Sequence, residues 1–356
     1  MYVVAGDPVS IAGVWVIATE GASMKTVRWG ILSTARIGVS KVIPGMRKSQ
    51  YVEVAAIASR DLAAAQGVAQ SIGIDKAYGS YEDLLADPDI DAIYNPLPNH
   101  LHVPLTLQAA RAGKHVLCEK PMSLNAAEID QLKEVEGKVH IMEAFMVRHS
   151  LQWNAARDQV REGALGGAPQ MIQSFFSYNN QDPLNIRNKV DLGGGGLMDI
   201  GCYPIVAGRF FFEAEPVRVI ALVTRHADFG TDVITGGMLD FGQGRQLTFS
   251  VSTQLARAQQ LVVWGADARL IIPVPYNAQP DVPNVFAIND GSALDGSSAE
   301  LFAMDISDQY TRMSEDFSRA VLGEIPLPYG LDDARANMRI IDALFRSEKT
   351  GAWETV

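Results

Sequence analysis

From Met24 onward, short apolar runs alternate with helical segments for about 120 residues, and this alternation limits the chain to very few folds. Val27–Leu32, Val52–Ala58, Ala92–Asn95, His115–Cys118 and Val139–Ala144 read as strands of four to seven residues. Between them, residues 37–46, 62–72, 81–86, 102–112 and 126–135 read as helices, and Gly113 is placed to end the fourth. Strands that are apolar on both faces and separated by helices pair in parallel, with helices covering each side. A parallel sheet of this kind binds ligands at the carboxyl ends of its strands.

The second half has another rhythm. Residues 170–178, 217–224, 237–241, 246–251 and 261–272 read as strands, with Gly- and Asp-bearing connections such as Gly265-Ala266-Asp267. A largely antiparallel open sheet follows from this. Two helices close the chain, one with the apolar stripe Tyr310, Met313, Phe317 and Val321, the other with Met338, Ile341 and Phe345. Residues 277–295 are polar and contain Pro and Gly, and are expected to form an ordered surface loop. The fold class is therefore α/β, a Rossmann domain over residues 24–145 followed by an α+β domain over 146–356. Two domains also suit a length of 356 residues.

Residues 1–23 do not join this pattern. Their apolar stretch, Val9 to Ala18, is too short to span a bilayer and has no positive segment before it. They are expected to be an extension upstream of the true start; an extra strand or an oligomer arm is the rival. The cytoplasm is the expected location. A formal net charge of −11 argues against nucleic acid or an anionic membrane as partner. Cys118 and Cys202 lack metal-type spacing, so no metal site is expected.

The first strand runs into Ser33-Thr34-Ala35-Arg36-Ile37-Gly38. A dinucleotide turn needs small residues at three places, here Ser33, Ala35 and Gly38. Backbone N–H groups and the positive end of the following helix then face a pyrophosphate. About twenty residues on, where an acid would mark NAD, the second strand ends in Ser59-Arg60-Asp61. A hydroxyl and a guanidinium suit a 2′-phosphate, and Arg36 adds charge nearby. NADP(H) is favoured over NAD(H), with Asp61 the competing signal.

Three further segments stand at strand ends or in a Gly-rich turn: Asn95-Pro96-Leu97-Pro98-Asn99-His100, Glu119-Lys120-Pro121, and residues 191–203, which include Asp199-Ile200-Gly201-Cys202-Tyr203. Together with Trp29 to Gly38 and Glu143-Ala144-Phe145-Met146-Val147-Arg148-His149, they resemble the glucose–fructose oxidoreductase/inositol dehydrogenase (Gfo/Idh/MocA) family. The resemblance is to its dihydrodiol dehydrogenase and D-xylose dehydrogenase branch, and it covers Lys25 to Trp353.

The resemblance implies an oxidoreductase that passes hydride between a nicotinamide and a sugar, polyol or cyclic trans-diol. Lys120 takes the place of the catalytic lysine and Tyr203 that of the acid/base. A free phenol titrates near pH ~10, so a cation is needed beside Tyr203, and Lys120 is the candidate. Asp199 is a site carboxylate, or else a helix cap. Pro121 is the place for a cis bond that turns Lys120 into the cleft. Leu97, Pro98, Asn99, His100, Glu119 and Arg187 are expected at the cofactor, and Phe145, Arg148 and Asn185 at the substrate. The resemblance also implies a homodimer or homotetramer through the open face of the second sheet. A glycoside hydrolase with a tightly held nicotinamide and a silent cofactor-binding sensor are the competing readings.

Overall fold

The computed structural model describes residues 25–356, together with the backbone of a short hairpin that pairs Ser10–Ile11 with Val14–Trp15. The expectation for residues 1–23 lies, that pairing apart, outside the described residues.

The first sheet is built from β1 (Val27–Leu32), β2 (Val52–Ala58), β3 (Lys76–Tyr78), β4 (Ala92–Asn95), β5 (His115–Cys118) and β6 (Ile141–Glu143). Its order is β3-β2-β1-β4-β5-β6, and every pair is parallel. The order reverses between β1 and β4, and the crevice at their carboxyl ends is where such sheets take a ligand. A π-type turn, Gly38–Val42, leads into α1 (Ile43–Met46). Then come α2 (Leu62–Ile72), α3 (Tyr81–Ala86) and α4 (His102–Arg111). Gly30 lets α3 lie close to the sheet, because a Cβ there would come within 2.6 Å of Leu84 and 3.0 Å of Ile93. Residues 126–135 hold less regular helix than expected: α5 (Ala126–Ile129) passes into a 3-10 segment, Asp130–Val135.

The helix α6 (Leu151–Arg161) leads to a nine-stranded sheet. Its members are β7 (Met171–Asn179), β8 (Arg218–Arg225), β9 (Asp232–Asp240), β10 (Gln246–Ser252), β11 (Gln254–Trp264), β12 (Arg269–Ile272), β13 (Val285–Asn289), β14 (Glu300–Ala303) and β15 (Glu354–Thr355). The order is β14-β13-β12-β11-β7-β10-β9-β8-β15, antiparallel throughout except where β7 meets β10.

Two expectations are corrected. Residues 261–272 are a hairpin and not one strand: Leu261 pairs with Ile272, and Gly265 N–H donates to the Ala268 carbonyl at 2.9 Å to close the turn. A side chain at residue 265 is excluded, since its Cβ would lie 2.2 Å from the Leu165 carbonyl oxygen. Residues 277–295 are not all loop, because they contain β13. That strand is short and flanked by polar residues, but Phe286 stacks on Phe302 of β14 at 4.8 Å, and this non-local contact stabilises it.

The last elements are α7 (Cys202–Phe212), α8 (Gln309–Val321) and α9 (Leu331–Thr350). Although α8 follows β14 of the second sheet in sequence, it packs on the first. Trp29 of β1 donates its indole N–H to Ser318 Oγ at 3.2 Å, and its ring lies 5.3 Å from that of Phe317. Thr311 also donates to the Gly45 carbonyl at 2.7 Å. Among the described residues, no helix is long and apolar enough to cross a membrane.

Candidate active site

The turn after β1 is held by backbone. Ser33 has φ +74°, its N–H donates to the Ala58 carbonyl at 2.8 Å, and its Oγ accepts from Ala35 N–H at 3.2 Å. Thr34, Ala35 and Ile37 are half-buried, Arg36 is exposed and Gly38 is buried. A Cβ on Gly38 would make only ordinary contacts, 3.5 Å from the Tyr94 ring and 3.7 Å from Pro96. Packing within the protein therefore does not by itself require glycine there.

At the tip of β2, Ser59 Oγ accepts from Asp61 N–H at 3.2 Å. Asp61 caps α2, accepting from the N–H groups of Ala63 at 2.9 Å and Ala64 at 3.2 Å. Its acidity is thus accounted for by the helix it starts. Arg60 is exposed beside Tyr81. The crevice and the turn fit a dinucleotide.

The ends of β4 and β5 are tied together by a residue that sequence reasoning placed only at a helix start. His102 is buried between the carbonyls of Pro121, 2.8 Å from Nδ1, and Leu97, 2.6 Å from Nε2. Burial lowers its pKa to about 4, while each carbonyl favours an N–H on the nitrogen that faces it. Leu97 is buried, Pro98 is half-buried, and Asn99 donates to the Gly193 carbonyl at 2.8 Å. Nδ1 of His100 is buried without a hydrogen-bond partner. The Lys120–Pro121 peptide bond is cis.

Lys120 reaches from the first sheet to the second-sheet side. Its Nζ donates to the Asp199 carbonyl at 2.6 Å and to Asp199 Oδ1 at 3.5 Å. The other carboxylate oxygen, Oδ2, accepts from Tyr178 Oη at 2.6 Å and from Arg187 Nε at 2.9 Å. Asp199 lies in a π-type turn, Leu197–Gly201, just before α7, with no side-chain cap. The capping alternative is therefore not what the structure shows. Burial pushes the Asp199 carboxyl up, but Arg187, Lys120 and Tyr178 together hold it well below the usual carboxylate range. Burial also works against the Lys120 charge, yet Asp199 and Glu119 outweigh it and leave the ammonium above its ordinary value. Glu119 is itself raised by burial; its Oε1 accepts from Tyr94 Oη at 2.7 Å.

Tyr203 is the second residue of α7. Lys120 Nζ lies over its ring, 5.0 Å from the centroid, and the ring meets Phe145 edge-on at 5.6 Å. The hydroxyl donates to Met146 Sδ at 3.5 Å. Burial raises its pKa well above 10, so the expected lowering by Lys120 is not found. The cation faces the ring and not the oxygen.

The Gly193–Gly196 run has a steric cause. Gly193 and Gly195 have φ +80° and +119°, and a Cβ on Gly195 would fall 2.0 Å from Asp232 Oδ1. Asp232 in turn accepts from Leu197 N–H at 2.6 Å, setting the start of the turn that carries Asp199.

Two residues expected at the substrate have further partners of their own. Arg148 is buried, ion-pairs with Asp333 of α9, and lies over the rings of Tyr329 at 4.3 Å and Phe145 at 5.3 Å. A guanidinium taken out of water needs a carboxylate, and Asp333 supplies it. Asn185 stands beside Arg187, accepting its N–H at 3.0 Å and capping a single 3-10 turn. Tyr178 was read only as part of a strand, because its hydroxyl partner lies on another element.

Comparison with known proteins assigns the chain to a family. Residues 27–149 match the Gfo/Idh/MocA oxidoreductase family with an NAD-binding Rossmann fold, and residues 153–271 match the family's C-terminal domain. An uncharacterized oxidoreductase from Rhizobium meliloti is 43% identical over 94% of this chain and 100% of that protein. A D-xylose 1-dehydrogenase (NADP(+)) from Haloferax volcanii is 41% identical over 91% of this chain and 98% of its own length. The crystal structure of a 3-ketoreductase from Actinomadura kijaniata, in complex with NADP and TDP-benzene, superposes with a TM-score of 0.84. It is 28% identical, and the match covers 91% of this chain and 98% of that one. The chain belongs to the Gfo/Idh/MocA family and is an oxidoreductase with an NAD(P)-binding Rossmann fold.

Proposed function

We propose that the chain is an NADP(H)-dependent dehydrogenase or reductase acting on a sugar, polyol or cyclic trans-diol. The observation that carries this reading is the position of Lys120. It leaves the carboxyl end of the Rossmann sheet and is fixed by Asp199 from the second half of the chain. On this reading residues 24–145 hold the cofactor and residues 146–356 the substrate.

Ser33 to Gly38 hold the pyrophosphate, and Ser59 with Arg60 holds the 2′-phosphate. Leu97, Pro98, Asn99, His100, Glu119 and Arg187 border the nicotinamide end. When bound, the nicotinamide supplies or accepts the hydride. Lys120 donates a hydrogen bond to the reacting oxygen and stabilises its alkoxide character. Tyr203 moves the proton. At rest the phenol keeps that proton and offers it to a thioether, a weak acceptor that a substrate oxygen displaces. Reduction uses the protonated phenol directly, whereas oxidation requires its proton to leave first.

The outer face of the second sheet exposes Leu222 and Ile234, and it is the surface through which a dimer or tetramer forms. The test is a screen of aldoses, polyols and dihydrodiols with NADP⁺ and NAD⁺, followed at the reduced-nicotinamide absorbance. Turnover of at least one substrate, lost in Lys120→Ala, is the expected result. Full turnover in Lys120→Ala removes the assignment.

A further inference from the structure

We propose that Tyr178 is a positioning residue, which pins Oδ2 of Asp199 so that the rest of that residue presents Lys120 to the reacting oxygen. The proposal rests on the reading of Lys120 as catalytic. Three side-chain donors converge on the Asp199 carboxylate, each from a different element. Tyr178 comes from β7, Arg187 from the 3-10 turn Ile186–Asn188, and Lys120 from the loop after β5.

Their footings differ. Arg187 is partly exposed, with 42% of its side chain open to solvent. It stands among exposed residues: Leu184, Ile186 and Val190 all reach into solvent. Tyr178 instead stands near the end of a strand paired on both edges, to β10 and β11. Its bond to Asp199 fixes the carboxylate to the sheet, while the Arg187 bond fixes it only to a surface turn.

Tyr178 does not exchange protons in this role. Burial, with Asp199 beside it, holds its phenol far above the ordinary value, so the hydroxyl donates at any working pH. A donor on Oδ2 also draws negative charge away from the oxygen facing Lys120. Without it, Asp199 swings and offers Lys120 a fuller negative charge. The ammonium then titrates at higher pH and points less accurately.

The test compares Tyr178→Phe with the parent and with Lys120→Ala, on whichever substrate the screen yields. Tyr178→Phe is expected to lower kcat about tenfold while KM for NADPH stays within about twofold. The alkaline limb of the parent's kcat–pH profile, where the Lys120 ammonium is lost, is expected to move up by about half a pH unit. A difluorotyrosine placed at position 178 keeps the size of the side chain and strengthens the donor, and it should move that limb down. Parent-like kcat and an unmoved limb in both variants overturn the proposal. Activity retained in Lys120→Ala would instead overturn the reading on which it rests.

Discussion

Lys120 Nζ lies 5.0 Å from the ring centroid of Tyr203, while the hydroxyl of that ring points to Met146 Sδ. The ring and the hydroxyl therefore have separate partners. Tyr203→Phe keeps the cation–π contact and the edge contact to Phe145, and removes only the hydroxyl. It should fold like the parent and bind NADPH equally well. Turnover should drop about 10²- to 10⁴-fold, the range for loss of a general acid or base. Stopped-flow cofactor binding beside steady-state kinetics separates the two effects; an unchanged kcat removes the phenol from the reaction.

On the proposed NADP(H) reading, cofactor choice turns on Arg60. Asp61 is occupied as the cap of α2, which leaves the Ser59–Arg60 tip without an acid directed at the ribose. Arg60→Ala should weaken NADPH about tenfold to a hundredfold, through loss of a charge-assisted bond to phosphate, and leave NADH nearly unaffected. Equal losses for both nucleotides would show that Arg60 does not read the 2′-phosphate.

Glu143 predicts a pH dependence of stability. It is buried, with Oε1 accepting from Met122 N–H at 2.8 Å and Oε2 unpartnered. Burial, with Asp333 nearby, raises its pKa to about 8. The folded state then binds more protons than the unfolded state between roughly pH 4.5 and pH 8, and stability falls as pH rises through that window. Glu143→Gln cannot ionise and should flatten this decline. At pH 8 it should be the more stable by about 1–3 kcal/mol relative to its standing at pH 5. Urea denaturation of both proteins at the two pH values reads the difference, and parallel pH curves contradict the prediction.

Gly195 tests the steric origin of the glycine run. At φ +119°, with 2.0 Å between a Cβ and Asp232 Oδ1, alanine is excluded on both counts. Gly195→Ala should cost about 2–4 kcal/mol and lower the melting temperature, and it should disturb the Leu197 N–H bond to Asp232. Gly67→Ala, on open helix surface, is the control and should be neutral or slightly stabilising.

The parallel sheet was legible because its signals are local. Val52–Ala58 and Leu62–Ile72 appear with the boundaries read from apolar runs and caps. The small β13 was not, since its pairing with β12 and β14 is set by residues distant in sequence. The same divide runs through the site. Lys120, Asp199 and Arg187 were singled out by motif, and the structure brings them together. Tyr178 and His102 have no motif of their own, because each acts through a partner on another element. Arg148 was named for the substrate by motif; in the structure its partners are Asp333 and the rings of Tyr329 and Phe145, two of which lie far from it in sequence.

The bond from Trp29 to Ser318 spans 289 positions of the chain. The first strand of the cofactor sheet therefore waits for nearly the last helix before its core is covered. On the ribosome, residues 25–149 can pair their strands but leave the Trp29 side open until α8 has emerged. A fragment ending near residue 150 should for that reason be poorly soluble, and adding residues 305–323 as a separate peptide should be what restores it.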